Sequence, residues 1–167
     1  MATLSARLAL TLSGSLDNIL DVGSASYPLA FGQNFNFSDG VGANQAKSVY
    51  TDTNTLAASA SVDVDLNGVL LDAFNTVINF TKVKAVIVVA DPGNTNDVVV
   101  GGAASNGAVS FFNASTDKVK VKPGGMFAVV APDANGYSVT AATADLLRIA
   151  NGGAGTAVTY TLIVIGV

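Results

Sequence analysis

Hydrophobic and polar residues alternate at the start of the chain. Within Thr3–Leu12 every second residue is apolar, from Leu4 to Leu12. A period of two predicts a strand with one face in a core and the other in water. Tyr27–Phe37 alternates in the same way and predicts a second strand. Leu16–Ser26, which follows the interruption at Ser13-Gly14-Ser15, is interpreted as a connector.

The middle of the chain contains three kinds of pattern. Leu56–Leu66 alternates cleanly and predicts another half-buried strand, whereas the polar segment Gln45–Thr55 is interpreted as an edge strand. Val83–Ala90 is almost uninterruptedly apolar, which is typical of a central strand buried on both faces. In Val69–Phe80 the apolar residues recur at three and four positions, so a short helix is predicted there.

Short β-prone segments separated by turn residues fill the remainder. The predicted strands are Asp97–Val100, Ala108–Phe112, Lys118–Lys122, Met126–Ala131, Tyr137–Thr140, Leu146–Ala150 and Ala157–Ile165. Turn signals spaced by roughly 8–12 residues favour a sandwich or barrel over βαβ units. The predicted fold is all-β: a jelly-roll-like β-sandwich of about ten strands with one short helix. Residues 1–167 are predicted to form a single domain, with residues 1–12 as an N-terminal arm or swapped strand.

Composition removes most catalytic chemistry from consideration. The chain has no His and no Cys, so the usual general base, the thiolate nucleophile and the commonest metal ligands are missing. We therefore predict no enzymatic activity, no cofactor and no metal site. Only 12% of the residues are charged and the net charge is −4, which argues against a nucleic-acid partner. The apolar runs are too short for a membrane span, and we expect no signal peptide.

Three polar features of the sequence are candidate sites. Asp63 and Asp65 share one strand face and could ligate calcium, but the solvated face of an amphipathic strand explains them better. The Gly101-Gly102 loop lacks the Lys and the following helix of a phosphate loop, so a hairpin turn is favoured. Lys118, Lys120 and Lys122 form a basic stripe, interpreted as a charged edge strand or a partner surface.

Aromatic residues on one face of Tyr27–Phe37 allow two interpretations. Tyr27, Phe31, Phe35 and Phe37 could stack on a sugar or a base. Aromatic faces of sandwich strands are more often part of the core, and that interpretation is favoured.

The C-terminal half resembles small structural proteins of tailed bacteriophages. The resemblance lies in Lys118-Val-Lys-Val-Lys-Pro-Gly-Gly-Met-Phe-Ala-Val-Val-Ala-Pro and in the segment from Asp145 through Asn151-Gly-Gly to Gly166; Leu66–Ala90 is similar more loosely. It implies a virion component, above all a capsid decoration (cement) protein that binds the major capsid protein, made in the host cytoplasm and located on the capsid surface. A tail, baseplate or fibre module, with or without carbohydrate binding, is the alternative, and an unrelated binding module or enzyme is the third class.

Low charge and exposed edge strands favour self-association, because closed oligomers hide both. We predict a homo-oligomer, a trimer ahead of a dimer, with no nucleic acid and no membrane as partner. The candidate partner-contact residues are Leu4, Arg7, Leu8, Lys118, Lys120 and Lys122.

Overall fold

Residues 3–167, which the computed structural model describes, form fourteen strands and no α-helix. The all-β prediction is therefore confirmed. In chain order the strands are β1 (Ala6–Ile19), β2 (Ser24–Asp39), β3 (Gln45–Ala46), β4 (Ser48–Leu56), β5 (Ser61–Asp65), β6 (Asn67–Leu71), β7 (Val77–Asn79), β8 (Lys82–Ala90), β9 (Val98–Gly101), β10 (Lys118–Val121), β11 (Met126–Val130), β12 (Tyr137–Ser138), β13 (Leu146–Asn151) and β14 (Val158–Gly166).

Two sheets make up the body and face each other across a shared core. Sheet I has the order β10-β9-β13-β5, and sheet II has the order β11-β8-β14-β4, with the short β12 also paired to β8. Val100 and Ile149 of sheet I and Val88 and Leu162 of sheet II are all fully buried in one cluster. Each such side chain stabilises the fold by about 1.5–3 kcal/mol relative to leaving it in water.

The strand positions follow from their sequence patterns. β8 is the predicted central strand; it lies between β11 and β14, and both of its faces are covered. The segment predicted as an edge strand supplies β4, which is the outer strand of sheet II, and the lysine-bearing β10 is the outer strand of sheet I. These predictions are confirmed.

The helix predicted in Val69–Phe80 is wrong, because this segment forms the β6–β7 hairpin. An Asp72 carboxylate oxygen accepts hydrogen bonds from the backbone N–H groups of Phe74 and Thr76, at 2.8 and 2.9 Å, and so closes a tight turn. Such local side-chain bonds compete with helix formation. Leu70 and Ile78 pair across the hairpin and are buried.

Two further strand predictions are corrected. Leu56–Leu66 is not one strand: β4 ends at Leu56, the chain turns at Ser59 with a φ of 59°, and β5 then enters the other sheet. The alternating pattern continues through the turn, which is why the sequence does not show the break. The predicted strand Ala108–Phe112 instead contains a 3-10 turn at Val109–Phe111.

A long hairpin, here called the arm, extends from the body. It consists of β1 and β2, paired antiparallel through fourteen residue pairs from Ala6–Phe37 to Ile19–Ser24. At roughly 3.3 Å per residue, each strand is about 45 Å long. Leu16–Ser26, predicted as a connector, belongs instead to the outer part of this hairpin. No other strand of residues 3–167 pairs with the arm except β3, at Ser38 and Asp39.

Candidate interaction surface

The base of the arm is anchored on the outer face of sheet II. Phe37 is only 2% exposed and packs in a small cluster with Ala46, Ala85 and Ile165. The half-buried residues Leu4, Ala6 and Phe35 lie around this cluster. The aromatic-core interpretation is therefore confirmed for Phe37.

An ion pair adds to this anchor. The ammonium group of Lys47 lies 2.6 Å from the Asp39 carboxylate at the end of β2. This hydrogen bond, together with a weaker one from the Leu4 backbone N–H, lowers the pKa of Asp39 below its ordinary value. The contact joins the last residue of the arm to the start of sheet II.

Beyond its base the arm is amphipathic, and its apolar side is uncovered. The register places Leu12 opposite Phe31 and Leu16 opposite Tyr27 on one face. Leu16 is 69%, Tyr27 66% and Phe31 55% exposed. The core prediction is therefore wrong for Tyr27 and Phe31. We call the exposed apolar residues on this side the arm face: Leu10, Leu12, Leu16, Tyr27, Leu29 and Phe31.

The opposite side of the arm is polar or small except for Ile19 near the tip, which is 88% exposed. It carries Arg7, whose guanidinium donates to the Asn34 side-chain oxygen at 2.7 Å and 3.2 Å. Asp17 lies near the tip, and hydrogen bonds from the hydroxyls of Ser26 and Ser15 lower its pKa. The charges of the two strands beyond the base thus lie away from the arm face.

An apolar groove of about 430 Å³ separates the arm from sheet II. On the arm side it is lined by Leu8, Leu10 and Phe35, and on the sheet side mainly by Ile87, Met126 and Ala128. Since Leu8, Leu10 and Phe35 belong to the apolar side of the arm, the groove and the arm face form one continuous uncharged surface.

The uncharged surface extends over the outer face of sheet II. Thr53 and Thr161 lie side by side there with their hydroxyl oxygens 2.9 Å apart, and Thr55 and Thr159 repeat the contact at the same distance. Sheet I differs, because its outer face carries an Arg148–Asp63 ion pair joined by hydrogen bonds of 2.7 and 2.6 Å. The two sides of the sandwich therefore present surfaces of different chemistry.

Asp63 and Asp65, the two carboxylates considered as calcium ligands, both accept hydrogen bonds within the chain. Both Asp63 oxygens accept from Arg148, and an Asp65 oxygen accepts from the Asn67 backbone N–H at 2.8 Å. The hydrogen bonds that Arg148 donates to the Asp63 carboxylate raise the pKa of Arg148, so the guanidinium stays charged. Among residues 3–167 no group of three acidic side chains is arranged to hold a metal ion.

The candidate partner-contact residues fall into two separate groups. Leu4 and Leu8 are half-buried at the base of the arm, and Arg7 is exposed beside them on the polar side. Lys118 and Lys120 are exposed on the outer strand of sheet I. Lys122 differs from them because it pairs with Asp97 at 3.0 Å. Gly101, from the glycine loop, ends β9 and pairs with Lys118.

The two predicted strands Thr3–Leu12 and Tyr27–Phe37 are parts of one longer hairpin, and the sequence pattern does not predict that its apolar side is uncovered. A usable signal for the longer hairpin was present: the even-numbered apolar positions resume at Leu16, and Tyr27 and Leu29 continue the alternation of the second strand. Ser13-Gly14-Ser15 does not interrupt the strand, because these residues stay in β1 and pair with Ala30, Leu29 and Pro28.

A second cleft, of about 170 Å³, opens between β4 and β5. Tyr50, Asp52 and Tyr160 line it, and the Tyr50 hydroxyl lies 3.3 Å from an Asp52 oxygen. Burial raises the pKa of Tyr160 to about 12, with a further contribution from the nearby Asp52 charge. Both tyrosines therefore remain neutral at ordinary pH.

Comparison with protein-family models, with curated proteins and with solved structures returned no match for this chain. No helix within residues 3–167 is long and apolar enough to cross a membrane. The uncovered arm face and the uncharged outer face of sheet II are the surfaces of the chain that are best suited to contact a partner.

Proposed function

We propose that this chain is a non-enzymatic structural component of a virion, a capsid decoration protein that binds the major capsid protein lattice and stabilises it. The observation that carries the proposal is the arm face, because an uncovered apolar surface of this size is typical of a protein that works as a subunit of an assembly. The exposed fractions of the six arm-face residues add up to about three fully exposed side chains. At about 200 Å² per large side chain, the arm face therefore offers on the order of 600 Å² of apolar surface. Monomeric proteins seldom expose a larger patch, and such patches mark interaction sites.

The resemblance of the C-terminal half to phage structural proteins supports a virion as the assembly to which this chain belongs. The first segment of the resemblance, from Lys118 to Pro132, forms β10, the Pro-Gly-Gly turn and β11. The absence of His and Cys from the chain supports a binding role over a catalytic one. The proposal includes the finer fold assignment, a jelly-roll-like sandwich, and a location on the capsid surface.

β10 is the proposed contact with the lattice. It pairs with β9 on one side only, so the other edge carries backbone groups that can pair with a strand of another protein. Lys118 and Lys120 are exposed and form none of the ion pairs found within residues 3–167. An acidic surface bordering a lattice strand would complement this edge.

Binding of this kind stabilises the shell by mass action, because the protein has affinity for the assembled lattice and little for its dissociated subunits. A homo-oligomer, a trimer ahead of a dimer, adds avidity when its symmetry matches that of the lattice site. The proposal therefore predicts that particles depleted of this chain lose their genome at a lower temperature.

The test uses particles that carry this chain, the same particles depleted of it, and depleted particles with the purified protein added back. Heating followed by measurement of released DNA should show lower release temperatures for the depleted particles and recovery on add-back. Equal release temperatures in all three would refute the decoration role, and labelling of the tail in place of the shell would assign the chain to a tail or fibre.

A charge substitution tests the proposed contact edge. Lys120→Gln should weaken add-back binding to depleted particles about tenfold at low salt, with a smaller difference at high salt. Lys82→Gln removes the same charge from sheet II, where the ammonium donates to the Ala134 carbonyl, and is the matched control. Equal binding by the two variants would exclude β10 as the contact.

A further inference from the structure

The arm face is too apolar, and the arm too thin, to stand free in water. A two-stranded hairpin is at best marginally stable by itself and needs a further layer on its hydrophobic face. Packing on the body covers only the base, where Phe37 is buried, whereas Leu12, Leu16 and Phe31 are more than half exposed. A partner that covers the outer part of the arm is therefore required.

The best complement to the arm face lies on the same chain. The groove between the arm and sheet II is apolar and uncharged, and it is continuous with the arm face through Leu8, Leu10 and Phe35. β11, which supplies Met126 and Ala128 to the groove, is an outer strand of sheet II, so the groove lies at an accessible edge. The outer half of the arm does not fill this groove, since the arm residues that line it are Leu8, Ala9, Leu10 and Phe35, all near the base.

We infer that the arm face of one molecule is covered by a second copy of this chain, whose own groove and arm face form the matching surface. The arm outside the groove, from Leu12 to Ile19, is eight residues long, about 26 Å at roughly 3.3 Å per residue. That length is enough to cross the five residues of β11 in the second copy.

The areas agree with such an exchange. A standard interface buries about 800 Å² on each partner. One arm face supplies on the order of 600 Å², and each copy also contributes the wall of its groove. Reciprocal exchange of arms therefore reaches the area of a stable oligomer without any additional surface.

Charge favours a second copy over the capsid lattice as the occupant. None of the six residues of the arm face is charged, and none of the groove residues is charged. The proposed lattice contact is the basic edge of β10 on the other sheet. Self-association through the arm leaves that edge free, so the two contacts are compatible and separable.

The first test is the mass of the purified full chain, measured by sedimentation over a range of concentrations. We expect a dimer or a trimer for the wild type. Leu12→Asp should raise the dissociation constant on the order of 100-fold. In each copy the substitution removes a leucine that association would bury, and it places a charge in the contact instead. Ser13→Asp, one residue further along β1 on the polar side, is the matched control and should associate like the wild type.

A cysteine probe gives a second readout that does not depend on the stability of a variant. The chain has no cysteine, so a single introduced thiol reports its own accessibility. Leu16→Cys should react with a water-soluble alkylating reagent at least tenfold more slowly than Ser15→Cys, and dilution below the dissociation constant should remove the difference.

Three results would overturn the inference. They are a wild type that remains monomeric at every concentration, equal association of the Leu12→Asp and Ser13→Asp variants, and equal alkylation of the two thiols in the concentrated protein. All three are measured without capsids, so they are independent of the particle-heating test. A chain that self-associates but leaves particle stability unchanged would refute the decoration role and support the arm exchange.

Discussion

Buried polar side chains within residues 3–167 are Lys84, Asp145 and Asn151, and each holds a turn or loop against a sheet. The Asn151 amide donates to the carbonyls of Ala57 and Thr156 at 3.0 and 2.8 Å, which links the turn between β4 and β5 to the loop before β14. Breaking such a bond leaves a buried polar group without a partner, which lowers the free energy of unfolding by about 1–3 kcal/mol.

Lys84 is buried near the start of β8 and donates to the backbone carbonyls of Asp133 and Gly42. Desolvation lowers the pKa of this lysine in the folded protein, although the Asp133 charge opposes the effect. Because the unfolded chain then binds the proton more tightly, Lys84 makes the protein more stable as pH rises toward the ordinary lysine pKa of 10.5.

Tyr160 has the opposite effect, and this gives a prediction. Its pKa is raised from 10.0 to about 12 by burial, so above pH 10 the unfolded state loses a proton that the folded state keeps. Stability is therefore lost as pH rises from about 10 to about 12, by a total on the order of 2 kcal/mol. In Tyr160→Phe this loss should be absent.

The measurement is urea unfolding between about pH 8 and pH 11.5. Tyr137→Phe, which removes a half-buried phenol from β12, away from the arm face, is the control and should show the same alkaline loss as the wild type. A Tyr160→Phe variant that loses stability as steeply as the wild type would assign the alkaline transition to other groups.

At the scale of elements, the arm depends on its base. Phe37 is anchored by packing, and Asp39 by its contacts with Lys47 and the Leu4 backbone. Hydrogen bonding lowers the pKa of Asp39, so the contribution of its charge is complete above the ordinary value of 3.8 and is lost as pH falls through the lower folded-state pKa.

Asp39→Asn should therefore loosen the base of the arm at neutral pH. We expect faster hydrogen exchange of the backbone amides near Ala6–Leu8 and Phe35–Phe37, with little change in the core strand β8. Asp17→Asn, which changes a carboxylate near the tip, is the control. Unchanged exchange at the base in Asp39→Asn would show that packing alone holds the arm.

At the scale of the whole molecule, the body and the outer arm are separable. The main core is built from the two sheets, and none of its residues belongs to β1 or β2. Removing residues 12–31 and joining Thr11 to Gly32, which face each other in the hairpin, through an Asn-Gly turn preserves the register of the base.

This shortened chain should remain folded, with a melting temperature within a few degrees of that of a wild-type sample dilute enough to be dissociated. It should also be monomeric where the wild type associates. A fall of more than about 10 °C against the dissociated wild type, which corresponds to more than about 2 kcal/mol for a chain of this size, would mean that the outer arm supports the body directly.

The sequence alone is sufficient to predict the β class, the central position of Val83–Ala90 and the edge positions of Gln45–Thr55 and Lys118–Lys122, which supply β4 and β10. These features follow from local rules. Alternating residues give a strand one apolar and one polar face, whereas a strand of continuous apolar residues must be buried on both faces. Lysines are typical of an unpaired strand edge, where they discourage pairing with other chains. The lack of His and Cys likewise limited the available chemistry without any coordinates.

What covers each apolar face depends on how the strands pack in three dimensions. Phe37 and Phe31 occupy equivalent positions in one alternating pattern, yet Phe37 is buried against Ile165 and Phe31 projects beyond the body. Likewise, Asp63 meets Arg148, 85 residues away, because β5 and β13 are neighbours in sheet I. An alternating pattern shows which side of a strand is apolar. Which part of the protein packs against that side depends on contacts between residues far apart in the sequence, and a local pattern does not contain that information.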